Sequence, residues 1–133
     1  MERVLLEARR LTKVYQTGTP VLQGIDLTLR RGDRAAIVGP PGAGKSTLLR
    51  ILAFRERPTA GDLFWQGRLV TELPPDFHDE LLLLDEPEPT IMPSLVGARK
   101  TVAVATADPE VAIWCRTIYR LKNGILRPIR WDF

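Results

Sequence analysis

Cysteine and histidine are almost missing from this sequence, with Cys115 and His78 the sole examples among 133 residues. One cysteine can form no intramolecular disulfide, and its neighbours Ile113 and Trp114 suggest a buried, unreactive thiol. One histidine excludes a metal site built around two of them, and its place after Pro74, Pro75, Asp76 and Phe77 suggests a solvated loop. Long apolar runs are missing too. None approaches the roughly 20 residues that span a bilayer, and the start, Met1 to Val4, lacks a signal peptide's apolar segment, so a cytoplasmic address is expected. There is little net charge, +3, and the basic residues are scattered. Fifteen arginines against four lysines is the one hint of nucleic acid. A compositional habit explains it more simply, and no nucleic-acid partner is expected.

What is present is ordinary for a globular protein: 44% hydrophobic and 26% charged residues, enough to bury a core in one domain over residues 1–133. Val4 to Leu11 has the length of a strand with one face open to water at Arg9 and Arg10, and residues 16–20 read as a turn. From Val21 to Arg30, Ile25, Leu27 and Leu29 alternate with polar residues in period two, which predicts a strand antiparallel to the first. Asp62 to Gln66 predicts a further strand on that flank, while Thr71 to Asp79 reads as a loop crossing and a junction in the chain. Leu81 to Leu84 and Thr101 to Ala105 are continuous apolar runs that fit central, buried strands. Asp108, Pro109 and Glu110 open a short helix, and Asn123-Gly124 signals a closing hairpin. The fold class that follows is α/β, a mostly parallel sheet with an antiparallel β flank.

The chemistry is concentrated after the apolar run Ala35 to Val38. Gly39, Pro40, Pro41, Gly42, Ala43, Gly44, Lys45, Ser46 and Thr47 spell G-x-x-x-x-G-K-[ST], followed by the helix-forming stretch Leu48 to Leu52. Glycines let backbone N–H groups converge on phosphate oxygens, and a helix N-terminus adds positive potential. Lys45 supplies a cation for the outer phosphates and Ser46 a hydroxyl for magnesium. Asp85 ends its leucine strand on the sheet edge where that loop lies, which suits a carboxylate holding the same ion. Glu86 beside it suits the orientation or deprotonation of an attacking water.

On these residues the chain resembles the nucleotide-binding subunits of ABC transporters, with the P-loop NTPase core of that family. Leu11 to Tyr15 is similar to the family's opening segment, which implies that Tyr15 stacks on adenine. Val21 to Leu29 is similar to its second strand, and Pro58 to Leu63 to the stretch after its first helix. Leu83 to Pro87 resembles Walker B, which implies Asp85 as magnesium ligand and Glu86 as catalytic carboxylate. Thr101 to Ala112 resembles the switch region and Arg120 to Ile125 the closing hairpin. ATP and Mg2+ are the implied cofactors.

The departures from the family are as informative. Only 40 positions separate Lys45 from Asp85, and residues 71–79 stand where a helical subdomain would be. The Leu-Ser-Gly-Gly-Gln signature is missing, and Gln16, Gln23 and Gln66 all fall in segments that match other parts of the pattern, leaving no Q-loop. Ala107 replaces the switch histidine, and the residues after Pro87 form no recognisable D-loop. The resemblance therefore implies an ATP-binding protein with slow or partner-dependent hydrolysis, with a complete ABC subunit as a candidate partner. It implies no docking on a membrane domain in the family's manner. The alternative is a non-hydrolytic nucleotide-sensing or interaction module.

Overall fold

A computed structural model describes residues 3–16, 18–97 and 100–129. Met1, Glu2 and Thr17, on which the reading of the chain start and of the first turn partly rest, lie outside the described residues. Strand β1 (Val4–Val14) pairs antiparallel with β2 (Pro20–Arg30), placing Leu6 opposite Leu29, Ala8 opposite Leu27 and Leu11 opposite Ile25. β1 runs three residues past the predicted Leu11. Its inward face changes parity on the way: Leu6 and Ala8 are buried, then Leu11. A register shift between Ala8 and Leu11 accomplishes this, with Arg10 at φ 52° and its N–H donating to Asp26 Oδ1 at 2.9 Å. Without such a bulge, Arg10 would take the core-facing position.

On the other side of β1 lies β4 (Ala60–Trp65), followed by β5 (Arg68–Val70), giving a four-stranded antiparallel sheet of order β2-β1-β4-β5. β5 was not predicted. Its hairpin turns on Gln66 and Gly67, both at positive φ (51° and 83°), a geometry that Gln-Gly advertises less clearly than Asn-Gly.

The second sheet has the order β6-β7-β3-β8-β9: β6 (Leu81–Asp85), β7 (Thr101–Thr106), β3 (Arg34–Val38), β8 (Thr117–Lys122) and β9 (Ile125–Ile129). The first four run parallel, and β9 folds back from Asn123-Gly124 as its dipeptide predicts. β3 and β7 are flanked on both sides, and every residue of β7 is buried. β6 corrects the sequence reading, since its four leucines form an edge strand among the described residues. Both of its faces are nevertheless covered. Leu81 and Leu83 pack into the core shared with the antiparallel sheet, while Leu82 and Leu84 pack on the opposite side with Met92. A continuous apolar run reports two covered faces and says nothing of lateral neighbours.

Helix α1 (Lys45–Leu52) buries Leu48, Leu49, Ile51 and Leu52 against the first of these cores, in which Leu11, Ile25 and Leu121 join both sheets. The crossing at residues 71–79, read from the sequence as a loop, is not loop throughout. It ends in a one-turn helix, α2 (Phe77–Glu80), whose Phe77 is 2% exposed against Trp65 and Phe54, while His78 beside it is exposed. Trp65 Nε1 and Gln66 Nε2 donate to the two carboxylate oxygens of Asp76 at 2.9 and 3.1 Å, fixing the approach. Two further short helices, α3 (Met92–Gly97) and α4 (Pro109–Ala112), cover the far face, the latter capped by the Asp108 carboxylate on Glu110 N–H at 2.8 Å. Cys115 is buried and its thiol pKa is pushed up to about 11 by that burial. Its neighbours do not account for it: Ile113 and Trp114 both face solvent.

Candidate functional site

The loop of residues 39–44 leaves the carboxyl end of β3, the central strand, and turns into α1. Two glycines are needed here for identifiable reasons. A Cβ on Gly39 would come 2.5 Å from the Leu121 carbonyl oxygen of β8, and Gly44 caps α1 at φ 103° with Val21 Cγ1 3.1 Å from where its Cβ would be. The hairpin between β8 and β9 buttresses the same region, since Gln23 N–H donates to Gly124 O at 2.8 Å.

Lys45 opens α1 and folds its side chain back over the loop. Its ammonium donates to the carbonyls of Gly39 and Pro40, the latter at 3.1 Å, and lies 3.5 Å from Glu86 Oε1, with only 6% of the side chain exposed. Ser46 Oγ donates to Asp85 Oδ2 at 2.6 Å, so the hydroxyl and carboxylate that the sequence assigned to one ion do converge. A hydroxyl and a carboxylate brought together in this way supply the oxygen donors that a hard cation such as magnesium takes, with its remaining ligands from water and phosphate, once the hydrogen bond between them opens. Glu86 follows β6 at φ 47°, and its N–H donates to Ala105 O at 2.8 Å. Its other carboxylate oxygen accepts from the Ala107 N–H at 3.3 Å. At the position of the family's switch histidine, the contact is thus made by backbone alone.

These groups border a cleft of about 410 Å³ lined by Tyr15, Val21, Pro41, Gly42, Gly44, Lys45, Ser46, Thr47 and Glu86. Larger clefts along the β4–β5 hairpin, about 520 and 710 Å³, contain no phosphate-binding loop, and one of about 540 Å³ beside the β8–β9 hairpin is lined by Pro40 to Ala43 but by neither Lys45 nor Ser46. Of the sequence-predicted site residues, Tyr15, Pro41, Gly42, Gly44, Lys45, Ser46, Thr47 and Glu86 line the cleft of about 410 Å³. Asp85 meets it through Ser46 and itself lines a neighbouring cleft of about 380 Å³, which Ser46 shares. Gly39, Pro40 and Ala43 belong to the same loop without lining the cleft at Lys45. Sequence reasoning missed Val21, which lines the cleft, and Glu56, which anchors Tyr15. Nothing in the spacing pointed to Glu56, because Arg55 to Pro58 reads simply as the end of a helix. Burial opposes its charge, but hydrogen bonds from Tyr15, Arg50 and Lys13 outweigh that and hold its carboxyl below the ordinary range.

A glycine-bearing turn from a central parallel strand into a helix, with a lysine at the helix start and a carboxylate ending a strand of the same sheet, defines a P-loop protein. The chain belongs to the ABC transporter family, whose model, described as "ABC transporter", matches residues 22–99, more than half of its length. Over 72 residues it is 51% identical to the lipoprotein-releasing system ATP-binding protein LolD 1 of Caulobacter vibrioides, covering 52% of this chain and 31% of that protein. Over 79 residues it is 39% identical to the spermidine/putrescine import ATP-binding protein PotA of Legionella pneumophila, covering 59% and 21% respectively. The chain thus spans about a third or less of the length of these relatives. Its fold is that of CbiO1 from Clostridium perfringens, part of the ABC transporter complex cbiONQ, with a TM-score of 0.80 at 20% identity, covering 94% of this chain and 87% of that one. No described helix is long and apolar enough to cross a membrane.

Proposed function

We propose that this chain binds ATP with magnesium in the cleft at Lys45 and hydrolyses it slowly, or at an appreciable rate only when a partner completes the site. The observation that carries this reading is the convergence of Lys45, the Ser46–Asp85 pair and Glu86 on one cleft. Lys45 exchanges its carbonyl partners and Glu86 for the outer phosphates, and the loop N–H groups take the inner ones. Ser46 and Asp85 hold the magnesium, which when bound neutralises phosphate charge. Glu86, released from Lys45, orients water for attack on the terminal phosphate. The reaction is slow because the described residues offer no donor to the far side of that phosphate beyond Lys45 and the loop. One missing donor to developing charge typically costs about 10²–10³ in rate. The compartment of this activity is the cytoplasm, where ATP is supplied.

Single-turnover hydrolysis of Mg-ATP tests the proposal. Phosphate release by the wild type is expected to exceed that by Glu86→Gln, and equal rates would remove Glu86 from the chemistry. Release by both proteins no faster than from Mg-ATP alone would favour the second reading, a non-hydrolytic nucleotide-sensing module. Ala107 supports that alternative, since it gives Glu86 only its backbone N–H and brings no side chain that could carry a proton.

A complete ABC subunit could lend its signature segment to the ATP held here, whereas this chain has none to return. Glu86→Gln with Mg-ATP is therefore expected to keep the mass of the nucleotide-free protein in light scattering. An ATP-dependent doubling would show that another surface substitutes for the signature. ATP-driven transport reconstituted with this chain as sole nucleotide-binding subunit would overturn the expectation that it does not dock on a membrane domain in the family's manner.

A further inference from the structure

Tyr15, the aromatic wall of the cleft, is 39% exposed and follows directly on the end of β1, a position from which a tyrosine would ordinarily swing free. Here it is tied at both ring and hydroxyl. The phenol donates to Glu56 Oε2, and its oxygen lies 3.5 Å from Thr47 Oγ1. Lys13 Nζ stands over the ring, 5.2 Å from its centroid. Glu56 is in turn held by Arg50 Nε at 2.9 Å and Lys13 Nζ at 3.3 Å, with 18% of its side chain exposed. Lys13 is itself fixed by donating to Arg57 O at 2.7 Å. Arg50 projects from α1, the helix that carries the phosphate-loop lysine and serine, and also donates to Thr47 Oγ1 at 3.2 Å. One carboxylate thus joins the ring on the antiparallel sheet to the helix that follows the phosphate loop. Ending a helix requires none of this, and an exposed ion pair would leave the carboxylate in water.

We infer that Glu56 is a positioning residue for nucleotide binding: it holds the Tyr15 ring beside the Lys45 to Thr47 turn, with Lys13 over one face, so that the base of the nucleotide stacks on the other. The inference rests on the proposed binding of ATP in this cleft. Its physical content is preorganisation. A ring already immobile in the free protein loses little freedom when a base stacks on it, whereas an untethered ring must be ordered at the moment of binding. Arg50 and Lys13 support the same arrangement through Glu56, and neither touches the base in this scheme.

The test compares two ligands that differ only in having a nucleoside, Mg-ATP and magnesium tripolyphosphate, by calorimetry. Tyr15→Phe keeps the ring and removes the hydroxyl, leaving the Lys13, Glu56 and Arg50 cluster intact, so a folding defect in Glu56→Ala does not leave the question open. Each variant is expected to bind ATP roughly two- to tenfold more weakly, the scale of ordering one side chain. Tripolyphosphate affinity should be unchanged, and the double variant should lose no more than the worse single one, because both cut the same hydrogen bond. Equal losses for both ligands in Glu56→Ala would overturn the inference, placing Glu56 in support of the phosphate loop through Arg50 and Thr47. Unchanged ATP affinity in both variants, while Tyr15→Ala weakens ATP alone, would overturn positioning and leave the base-stacking reading standing. If Tyr15→Ala changes neither ligand while Lys45→Ala weakens both, base stacking itself fails and phosphate binding survives.

Discussion

Lys45→Ala is expected to weaken Mg-ATP binding by about 1.5–3 kcal/mol, the scale of a hydrogen bond to a charged group and hence roughly ten- to a hundredfold or more. The effect is large because the ammonium is already in place. It is 6% exposed and held over the loop by the Gly39 and Pro40 carbonyls, so nucleotide binding need not recruit a solvated side chain from water. Alanine removes the only side-chain cation among the described residues lining the cleft, and it also takes the ammonium away from those two carbonyls and from Glu86. Calorimetric titration of ATP into the variant and the wild type decides the matter. Unchanged affinity would remove the binding reading altogether, whatever Tyr15 and Glu86 do.

Phe77→Ala is expected to lower the unfolding free energy by about 3–5 kcal/mol, the usual cost of emptying a buried aromatic site. Phe77 is 2% exposed, with its ring centroid 5.1 Å from that of Trp65 and 5.8 Å from that of Phe54, the second pair at 88° in the edge-to-face arrangement that aromatic quadrupoles favour. These three rings come from α2, from β4 in the antiparallel sheet and from the segment after α1, so the cavity would open where three elements meet. Small domains have only about 5–15 kcal/mol to lose, and the variant should unfold at a much lower urea concentration. A change below about 1 kcal/mol would mean that the crossing is a loose tether after all, as its prolines and polar residues suggest. ATP affinity measured below the transition should change little, since Phe77 does not line the nucleotide cleft.

The short passage between Lys45 and Asp85 gives these two results a common setting. The chain goes from α1 to the strand bearing Asp85 through one antiparallel hairpin and a crossing that Phe77 plugs into the core. What the cleft retains is the face that holds phosphate and metal. What the sequence lacks is the segment a family member offers to the opposite nucleotide, which is why the predicted hydrolysis is slow and the predicted ATP-bound species keeps its mass.

The sequence by itself determined the features whose causes are local. The loop from Gly39 to Ser46, the alternation that makes β2, the Asn123-Gly124 turn and the Asp108 cap each depend on residues within a few positions of one another. So does the placement of Asp85 and Glu86 at the end of a strand, because an apolar run that stops at two carboxylates is a strand end whichever sheet it joins. Only the tertiary structure decided what approaches those elements from far along the chain. It set Leu81 to Leu84 at a sheet edge, since four leucines record that both faces are covered and not that strands lie alongside. It turned Phe77 from a loop residue into core, because Trp65 and Phe54 arrive from elsewhere. It also placed Glu56 on the Tyr15 hydroxyl across 41 positions of sequence, a contact that no periodicity encodes because it exists only once the antiparallel sheet has packed against α1.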